Sequence, residues 1–176
     1  MSVRLLAISG SLRAASTNTA LLQAAMLLQP AGMHIEFYEG LATLPHFNPD
    51  DDVAPLPPAI ADWRAKVAVA DGLLISSPEY ARGIPGSLKN ALDWLVSGPE
   101  HPGKPIAFFH ASERGVASQA ALRLVLETMG TRIIDSACIT INLLGSEKDA
   151  ATVAANPAYA AKIRDALRAF SASISS

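Results

Sequence analysis

A group of small hydrogen-bond donors follows the first apolar run of the chain. The run VRLLAIS begins at Val3, and a helical pattern starts only a few residues after it. The stretch between them, GSLRAASTN, contains five potential ligand-binding side chains: Ser11, Arg13, Ser16, Thr17 and Asn18. Hydroxyl, amide and guanidinium donors beside the free N–H groups of a helix N-terminus are suited to an anion. The stretch therefore predicts a phosphate site.

Helix capping is a simpler role for the same residues, since Ser, Thr and Asn are common N-cap residues. Capping requires one of them, whereas this loop has several and an arginine, which favours phosphate binding. The loop has neither the GxxxxGK[ST] pattern of a P-loop nor the GxGxxG pattern of a dinucleotide-binding turn. It also contains no cysteine that could act as a phosphatase nucleophile.

A second unusual loop, SSPEYARGIPGSLKNALDW, begins at Ser76 at the end of the third apolar run. Its prolines stiffen it, its glycines let the backbone approach a flat ligand closely, and Tyr80 supplies an aromatic face. A rigid turn with Tyr80 packed on a neighbouring helix would use similar residues. Composition alone leaves both interpretations open.

The elements around these loops alternate between short apolar runs and helical patterns. Five strands are predicted to begin at these positions: Val3, Met33, Asp71, Lys104 and Arg132. Helices are predicted between them and after the last, beginning at these positions: Thr19, Ala59, Pro85, Ala117 and Ala158. Strands separated by helices pair in parallel through right-handed crossovers. We expect one α/β domain over residues 1–176, a flavodoxin-like three-layer sandwich with a five-stranded sheet in the order 2-1-3-4-5. That order places the two loops side by side at the switch point, where a ligand binds.

Composition excludes several other classes of function. The chain has 176 residues, 50% of them hydrophobic, and a formal net charge of −2. No basic field is present to attract nucleic acid or a membrane surface. A single cysteine, Cys138, and four scattered histidines predict no metal site. The apolar stretch after Arg4 is too short for a signal peptide or a membrane span, so a cytoplasmic location is expected.

The two loops together resemble the NADPH-dependent FMN reductase family of flavodoxin-like proteins, which includes quinone, azo-dye and chromate reductases. GSLRAASTN matches a GSLRxxSxN motif, and the second loop matches PEYxxxIPGxLKNAxDW. The resemblance extends from the first strand through the fourth helix. It implies that the first loop binds the FMN phosphate and the second lines the isoalloxazine edge. The implied cofactor-binding residues are Ser11, Leu12, Arg13, Ser16, Thr17, Asn18, Thr19, Pro78, Glu79, Tyr80, Ala81, Arg82 and Ser112.

Two departures from the family pattern concern the ring contacts. The family usually has Asn after PEY, where this chain has Ala81 followed by Arg82. The loop after the fourth strand is commonly Gly-rich, whereas HASERGVASQ has only Gly115, and Ser112 is the best match to its ring-contacting position. Arg82 and Arg114 are candidate contacts for a nicotinamide 2′-phosphate.

The resemblance implies an oxidoreductase that passes hydride from NADPH or NADH through bound FMN to a small acceptor, with ping-pong kinetics and no protein acid–base residues. The acceptor would be a free flavin, a quinone, an azo compound or chromate. Family members are usually homodimers, or dimers of dimers, so loop 45–58 and the Arg82 segment are expected to complete a neighbour's pocket. A flavodoxin-type electron carrier for protein partners is the main alternative, and a flavin-free binding protein a third.

Overall fold

A computed structural model describes residues 2–143 and 149–175 and contains a parallel sheet between two layers of helices. The strands are β1 (Val3–Ser9), β2 (Met33–Phe37), β3 (Gly72–Ser76), β4 (Pro105–His110), β5 (Arg132–Ile133) and β6 (Ile139–Thr140). The helices are α1 (Thr17–Leu27), α2 (Pro58–Val69), α3 (Gly86–Asp93), α4 (Val116–Thr128), α5 (Ala150–Ala155) and α6 (Pro157–Ser175). The strand order β2-β1-β3-β4-β5 confirms the predicted order and the flavodoxin-like fold class.

The sheet separates two apolar cores because successive side chains of a strand point to opposite faces. In β1, Leu5 and Ala7 join the core formed with α1, α5 and α6. Leu6 and Ile8 join the core formed with α2, α3 and α4. All four side chains are at most 1% exposed. A strand covered on both faces reads as a continuous apolar run, which is how β1 was recognised.

The predicted fifth strand, RIIDSACITIN, is divided into two short strands. A 3₁₀ turn at Asp135–Ala137 separates β5 from β6, and both strands pair with β4, so the sheet has six strands. The Asp135 carboxylate turns outward to an ion pair with Arg123, while Ala137 is fully buried. The turn allows Asp135 to pair with Arg123 while Ala137 is buried, and it interrupts the extended chain.

The loop at residues 45–58 is anchored to its own domain. The Trp94 indole N–H and the Asn90 side-chain amide both donate to the carbonyl of Pro45, at 2.8 and 2.9 Å. Trp94 is fully buried, as is Trp63. Within the acidic run at residues 50–52, Asp52 forms an ion pair with Arg64. Its carboxylate is 2.9 Å from Arg64 and its side chain is only 7% exposed.

Two negative findings concern the part of the chain that the structure describes. No helix there is both long and apolar enough to cross a bilayer. Nor are three or more His, Cys, Asp or Glu side chains arranged there so that they could hold a metal ion.

Candidate functional site

Three loops enclose a cleft of about 360 Å³ beyond the carboxyl ends of β1, β3 and β4. Nine of the residues predicted to bind the cofactor line it: Ser11, Arg13, Ser16, Thr17, Asn18, Pro78, Glu79, Tyr80 and Ser112. Four predicted residues do not: Leu12, Thr19, Ala81 and Arg82. The cleft also has lining residues that the prediction did not include as cofactor ligands: Ser77, His110, Ala111, Arg114, Gly115 and Gln119.

The first loop is shaped by hydrogen bonds from residues beneath it. The Ser9 hydroxyl is 2.9 Å from the hydroxyl of Thr19 and accepts the N–H of Ser11. The Ser11 hydroxyl in turn accepts the N–H of Arg13 at 3.3 Å. Thr19 therefore supports the loop from behind, which explains why it does not line the cleft. The loop is held open with its polar side chains toward the cavity.

Ser16 is the N-cap of α1, as the capping interpretation predicted. It has extended backbone angles, and its hydroxyl accepts the N–H of Thr19 at 3.4 Å. The N–H groups of Thr17 and Asn18 precede any intrahelical acceptor and are the free donors of a helix start. Because Ser16 also lines the cleft, capping and anion binding are compatible at this residue.

Close contact between the ends of β1 and β3 joins the first two loops. Gly10 donates its N–H to the carbonyl of Ser76 at 2.8 Å. A Cβ at Gly10 would lie 2.5 Å from the Ser77 hydroxyl oxygen and 3.0 Å from the Ser77 Cβ, so a larger residue would displace the Ser77 side chain. Asn18 adds a second link, because its side-chain oxygen accepts the Ser76 hydroxyl at 2.9 Å in a buried position. The sequence analysis did not identify this support.

Glu79 links the second loop to α4. Its carboxylate accepts the N–H of Ser118 at 2.9 Å, in the first turn of that helix, where a negative charge is favoured. The Ser118 hydroxyl donates to the carbonyl of Pro78 at 3.3 Å. Gly115, with φ of 92°, precedes the helix, and a Cβ there would lie 3.3 Å from the Cβ of Glu79. Glu79 thus borders the cleft with its carboxylate already engaged.

Ala81 and Arg82 form the tip of a tight turn between Tyr80 and Gly83. Tyr80 and Gly83 exchange backbone hydrogen bonds of 3.2 and 2.9 Å. The φ angles of Ala81 and Arg82 are 49° and 60°, the left-handed pair required by a type I′ turn. This conformation strains residues other than Gly, Asn and Asp. Both residues are exposed, and neither lines the cleft.

His110, the last residue of β4, is a cleft residue that the sequence analysis missed. Its ring stacks on Phe108 with centroids 5.6 Å apart. Burial, and secondly the charge of Arg123, lower the pKa of His110 to about 4, so the imidazole is uncharged at neutral pH. The available signal was its place at the carboxyl end of a strand beside the switch point.

Among the described residues that line the cleft, two are arginines and one is a glutamate. Arg13 and Arg114 line it, and among the residues of 2–143 and 149–175 neither forms an ion pair. Arg114 is placed by its N–H, which donates to the Ser112 hydroxyl at 2.9 Å. Glu79, the one acidic residue among the described residues that line the cleft, accepts a hydrogen bond from a helix N-terminus.

This donor set fits the cofactor that the sequence motifs imply. Hydroxyls, two free backbone N–H groups and Arg13 suit the dianionic phosphate of FMN. The volume of about 360 Å³ lies within the range of small-molecule sites, and Pro78 and Tyr80 offer apolar surface to a planar ring. The donors match the chemistry of the phosphate, and residues of both predicted loops line the same cavity.

A model of the NADPH-dependent FMN reductase family matches residues 3–143, four-fifths of the chain. The protein belongs to this family. The match covers the sheet through β6 and all three cleft loops, and it confirms the resemblance seen in the two motifs. FMN and NAD(P)H, the ligands predicted from the sequence, are those that characterise the family.

Individual relatives have the same chemistry in their names. The chain is 44% identical over 112 residues to an NAD(P)H-dependent FMN reductase of Pseudomonas aeruginosa, a match that covers 62% of this chain and 60% of that protein. It is 35% identical over 147 residues to an NADPH:quinone oxidoreductase of Arabidopsis thaliana, covering 80% and 74%. Among solved structures, the flavoenzyme NAD(P)H:(acceptor) oxidoreductase FerB of Paracoccus denitrificans superposes with a TM-score of 0.78 at 25% identity, covering 98% of this chain and 97% of that one.

Proposed function

We propose that the protein is an FMN-dependent NAD(P)H oxidoreductase that reduces a small acceptor such as a free flavin, a quinone, an azo compound or chromate. One observation carries the proposal. The phosphate-type loop at Ser11–Asn18 and the aromatic loop at Pro78–Tyr80 line the same cleft at the switch point of a flavodoxin-like sheet. Family membership and the quinone reductases among the relatives support it.

The residues of the cleft divide by chemistry into two parts. Ser11, Arg13, Ser16 and the first N–H groups of α1 would hold the phosphate. Pro78 and Tyr80 would border the ring, and Ser112 would approach it from the loop after β4. When bound, FMN would supply the hydride chemistry between nicotinamide and acceptor, while the protein orients the ligands and sets their electrostatic environment.

Reduction by NAD(P)H tests this proposal directly. The purified protein is mixed with FMN, freed of excess by gel filtration, and its visible spectrum recorded. We expect a flavin spectrum that bleaches on NADPH or NADH addition without oxygen and returns when a quinone is added. Initial rates at several quinone concentrations should give parallel double-reciprocal lines, as expected for ping-pong kinetics.

The same experiment distinguishes the alternatives. A protein that binds FMN but is not reduced by either nicotinamide would be a flavodoxin-type carrier. A protein that leaves the column without flavin would be a binding protein that keeps only the fold. Either result would contradict the proposed activity.

A second copy of the chain is the proposed macromolecular partner. Three large apolar side chains are exposed near the cleft: Leu12 (57%), Tyr80 (53%) and Val116 (70%). Covering them would bury apolar surface beside the site. We propose a homodimer, or a dimer of dimers, in which the Arg82 segment and loop 45–58 complete a neighbour's pocket. Sedimentation of the parent should show at least a dimer, and a monomer with full activity would refute this assembly.

We also propose that the protein acts in the cytoplasm without nucleic acid or membrane partners. Cys138 is a free cysteine in the described chain, consistent with a reducing compartment. The net charge of −2 offers no attraction for polyanions. Fractionation of the native host, with the protein detected by antibody, would test the location.

A further inference from the structure

His110 is a half-buried titratable residue of the cleft to which the two sequence motifs assign no role. It lies at the same level of the sheet as the start of the phosphate-type loop. Ser9 pairs with Ser76, and Ile75 pairs with Phe108, so Gly10, Ser77 and His110 follow at equivalent positions on β1, β3 and β4. His110 therefore lines the cleft at the same register as Gly10.

Distance separates His110 from the phosphate-type loop. Neighbouring strands are about 4.8 Å apart, and β3 lies between β1 and β4, so His110 is about 10 Å across the sheet from Gly10. A ligand whose phosphate lies at the N-terminus of α1 must extend over Ser77 to reach His110. The imidazole faces a part of the ligand beyond the phosphate.

The surroundings of His110 favour a neutral ring that both donates and accepts a hydrogen bond. Phe108 stacks on one side, and Arg123 on α4 lies over the Phe108 ring, 5.8 Å from its centroid. A second cavity of about 10 Å³ also borders His110, and its other lining residues are both apolar and polar: Ile75, Phe108, Leu122, Ser77, Ser118 and Gln119. A protonated imidazole would be opposed by burial and, secondly, by the charge of the Arg123 guanidinium. A neutral imidazole has one donor and one acceptor nitrogen, so it can pair with either kind of polar group on a ligand in the cleft.

We propose that His110 is a neutral hydrogen-bonding residue for the uncharged part of the flavin, the ribityl chain or the polar edge of the ring. The proposal rests on the proposed function and extends it, since it assigns a contact that neither motif contains. It also divides the cleft. The first loop recognises the phosphate, and His110 recognises what FMN shares with riboflavin.

The test compares FMN and riboflavin binding by fluorescence quenching in the parent, His110→Leu and His110→Gln. Riboflavin lacks the phosphate and reports the uncharged part alone. Loss of one neutral hydrogen bond should weaken both flavins by the same factor, about three- to tenfold, in His110→Leu. Gln keeps an amide donor and acceptor and should recover most of the affinity. Lumiflavin, which lacks the ribityl chain, locates the contact: an unchanged affinity places it on the chain, a weakened one on the ring.

Three outcomes would overturn the proposal. Unchanged affinity for both flavins in His110→Leu would show that the imidazole does not contact the ligand. Weakening of FMN alone would place His110 at the phosphate, and Gln binding no better than Leu would indicate a packing role. If the parent binds no flavin at all, the proposed function fails first, which distinguishes the two failures.

A measurement on the unaltered protein keeps the proposal testable if the variants do not fold. The ¹⁵N shifts of the histidine side chains report tautomer and hydrogen bonding, and the four histidines can be assigned separately. Riboflavin should shift the ring nitrogens of His110 while leaving those of His34, His46 and His101 in place. Unchanged His110 shifts at saturating riboflavin would refute the contact.

Discussion

Replacing Ser16 by Asp separates the two roles that the structure gives this residue. Asp and Ser are equally good N-cap residues, so the acceptor for the Thr19 N–H is retained and α1 should remain stable. A carboxylate at this 8%-exposed position would, however, face the phosphate of bound FMN. Capping alone predicts no effect on FMN, and phosphate binding predicts a large one.

The expected loss of affinity comes from two terms. Like charges about 4 Å apart repel by about 1 kcal/mol in water and about 4 kcal/mol at an effective dielectric constant of about 20. A lost hydroxyl donor to a charged group adds about 1.5–3 kcal/mol. Even the smaller values together weaken FMN binding by nearly two orders of magnitude. Riboflavin, without a phosphate, should bind the parent and Ser16→Asp equally.

Ser16→Asn is the matched control, because Asn has the size and capping ability of Asp without its charge. Its side-chain amide can also donate to a phosphate. We expect Ser16→Asn to bind FMN within about tenfold of the parent, a loss of no more than about 1.4 kcal/mol. The gap between the Asp and Asn variants should narrow in 0.5 M salt. Fluorescence titration gives the affinities, and circular dichroism confirms folding. Equal FMN affinity in the Asp and Asn variants would refute phosphate binding at Ser16.

Four further predictions concern residues that line the cleft or lie beside it. Glu79→Gln should lower the free energy of unfolding by about 0.5–1 kcal/mol, because the acceptor at the start of α4 loses its charge, and Glu79→Ala by about 1–2 kcal/mol, because the acceptor is lost entirely. Urea unfolding measures both, and equal stability of all three proteins would contradict the role of Glu79 at the start of α4. Ala81→Asn should stabilise the fold by about 0.5–1 kcal/mol in the same assay, since Asn tolerates a φ of 49° better than Ala. Arg82→Ala should alter the KM for nicotinamide or acceptor more than it alters FMN retention. Flavin loss with the fold intact would contradict this. The pKa of His110 is lowered from 6.5 to about 4, so the folded protein binds this proton more weakly than the unfolded chain, and the stability that His110 contributes is complete above about pH 6.5 and falls toward pH 4. Relative to His110→Gln, the parent should lose about 2 kcal/mol of unfolding free energy between pH 7.5 and pH 5. Parallel pH profiles of the two proteins would refute this prediction.

Strand order, the two helix layers and the two loop motifs were predictable because each depends on local patterns. Apolar runs buried on both faces identified β1 and β3, and the crossover rule then ordered the sheet. The divided fifth strand was not predictable, because the Arg123–Asp135 ion pair that accompanies the turn joins residues from different elements. The burial of Asp52 against Arg64 escaped prediction for the same reason.

The candidate site was predictable in its ligand type and less so in its composition. The two motifs identified the residues just before and at the start of helices, because their combination of side chains is unusual for a loop. They did not identify His110, whose sequence neighbours belong to an apolar strand and whose place in the cleft depends on the pairing of β4 with β3 and of β3 with β1. Nor did they separate Thr19, which supports the loop through Ser9, from the residues that face the cleft.

Glu79 shows why a motif residue need not be a ligand contact to be necessary for a site. Its carboxylate accepts an N–H from the first turn of α4, and the carbonyl of neighbouring Pro78 accepts the Ser118 hydroxyl. These bonds fasten the loop after β3 to the helix that follows β4, two of the three walls of the cleft. Gly10 and Asn18 fasten the remaining wall to the end of β3. The loop after β3 is therefore the common support of the cleft, so a substitution that loosens it should weaken phosphate and ring recognition together, whereas substitutions in the outer two loops should affect one part of the ligand at a time.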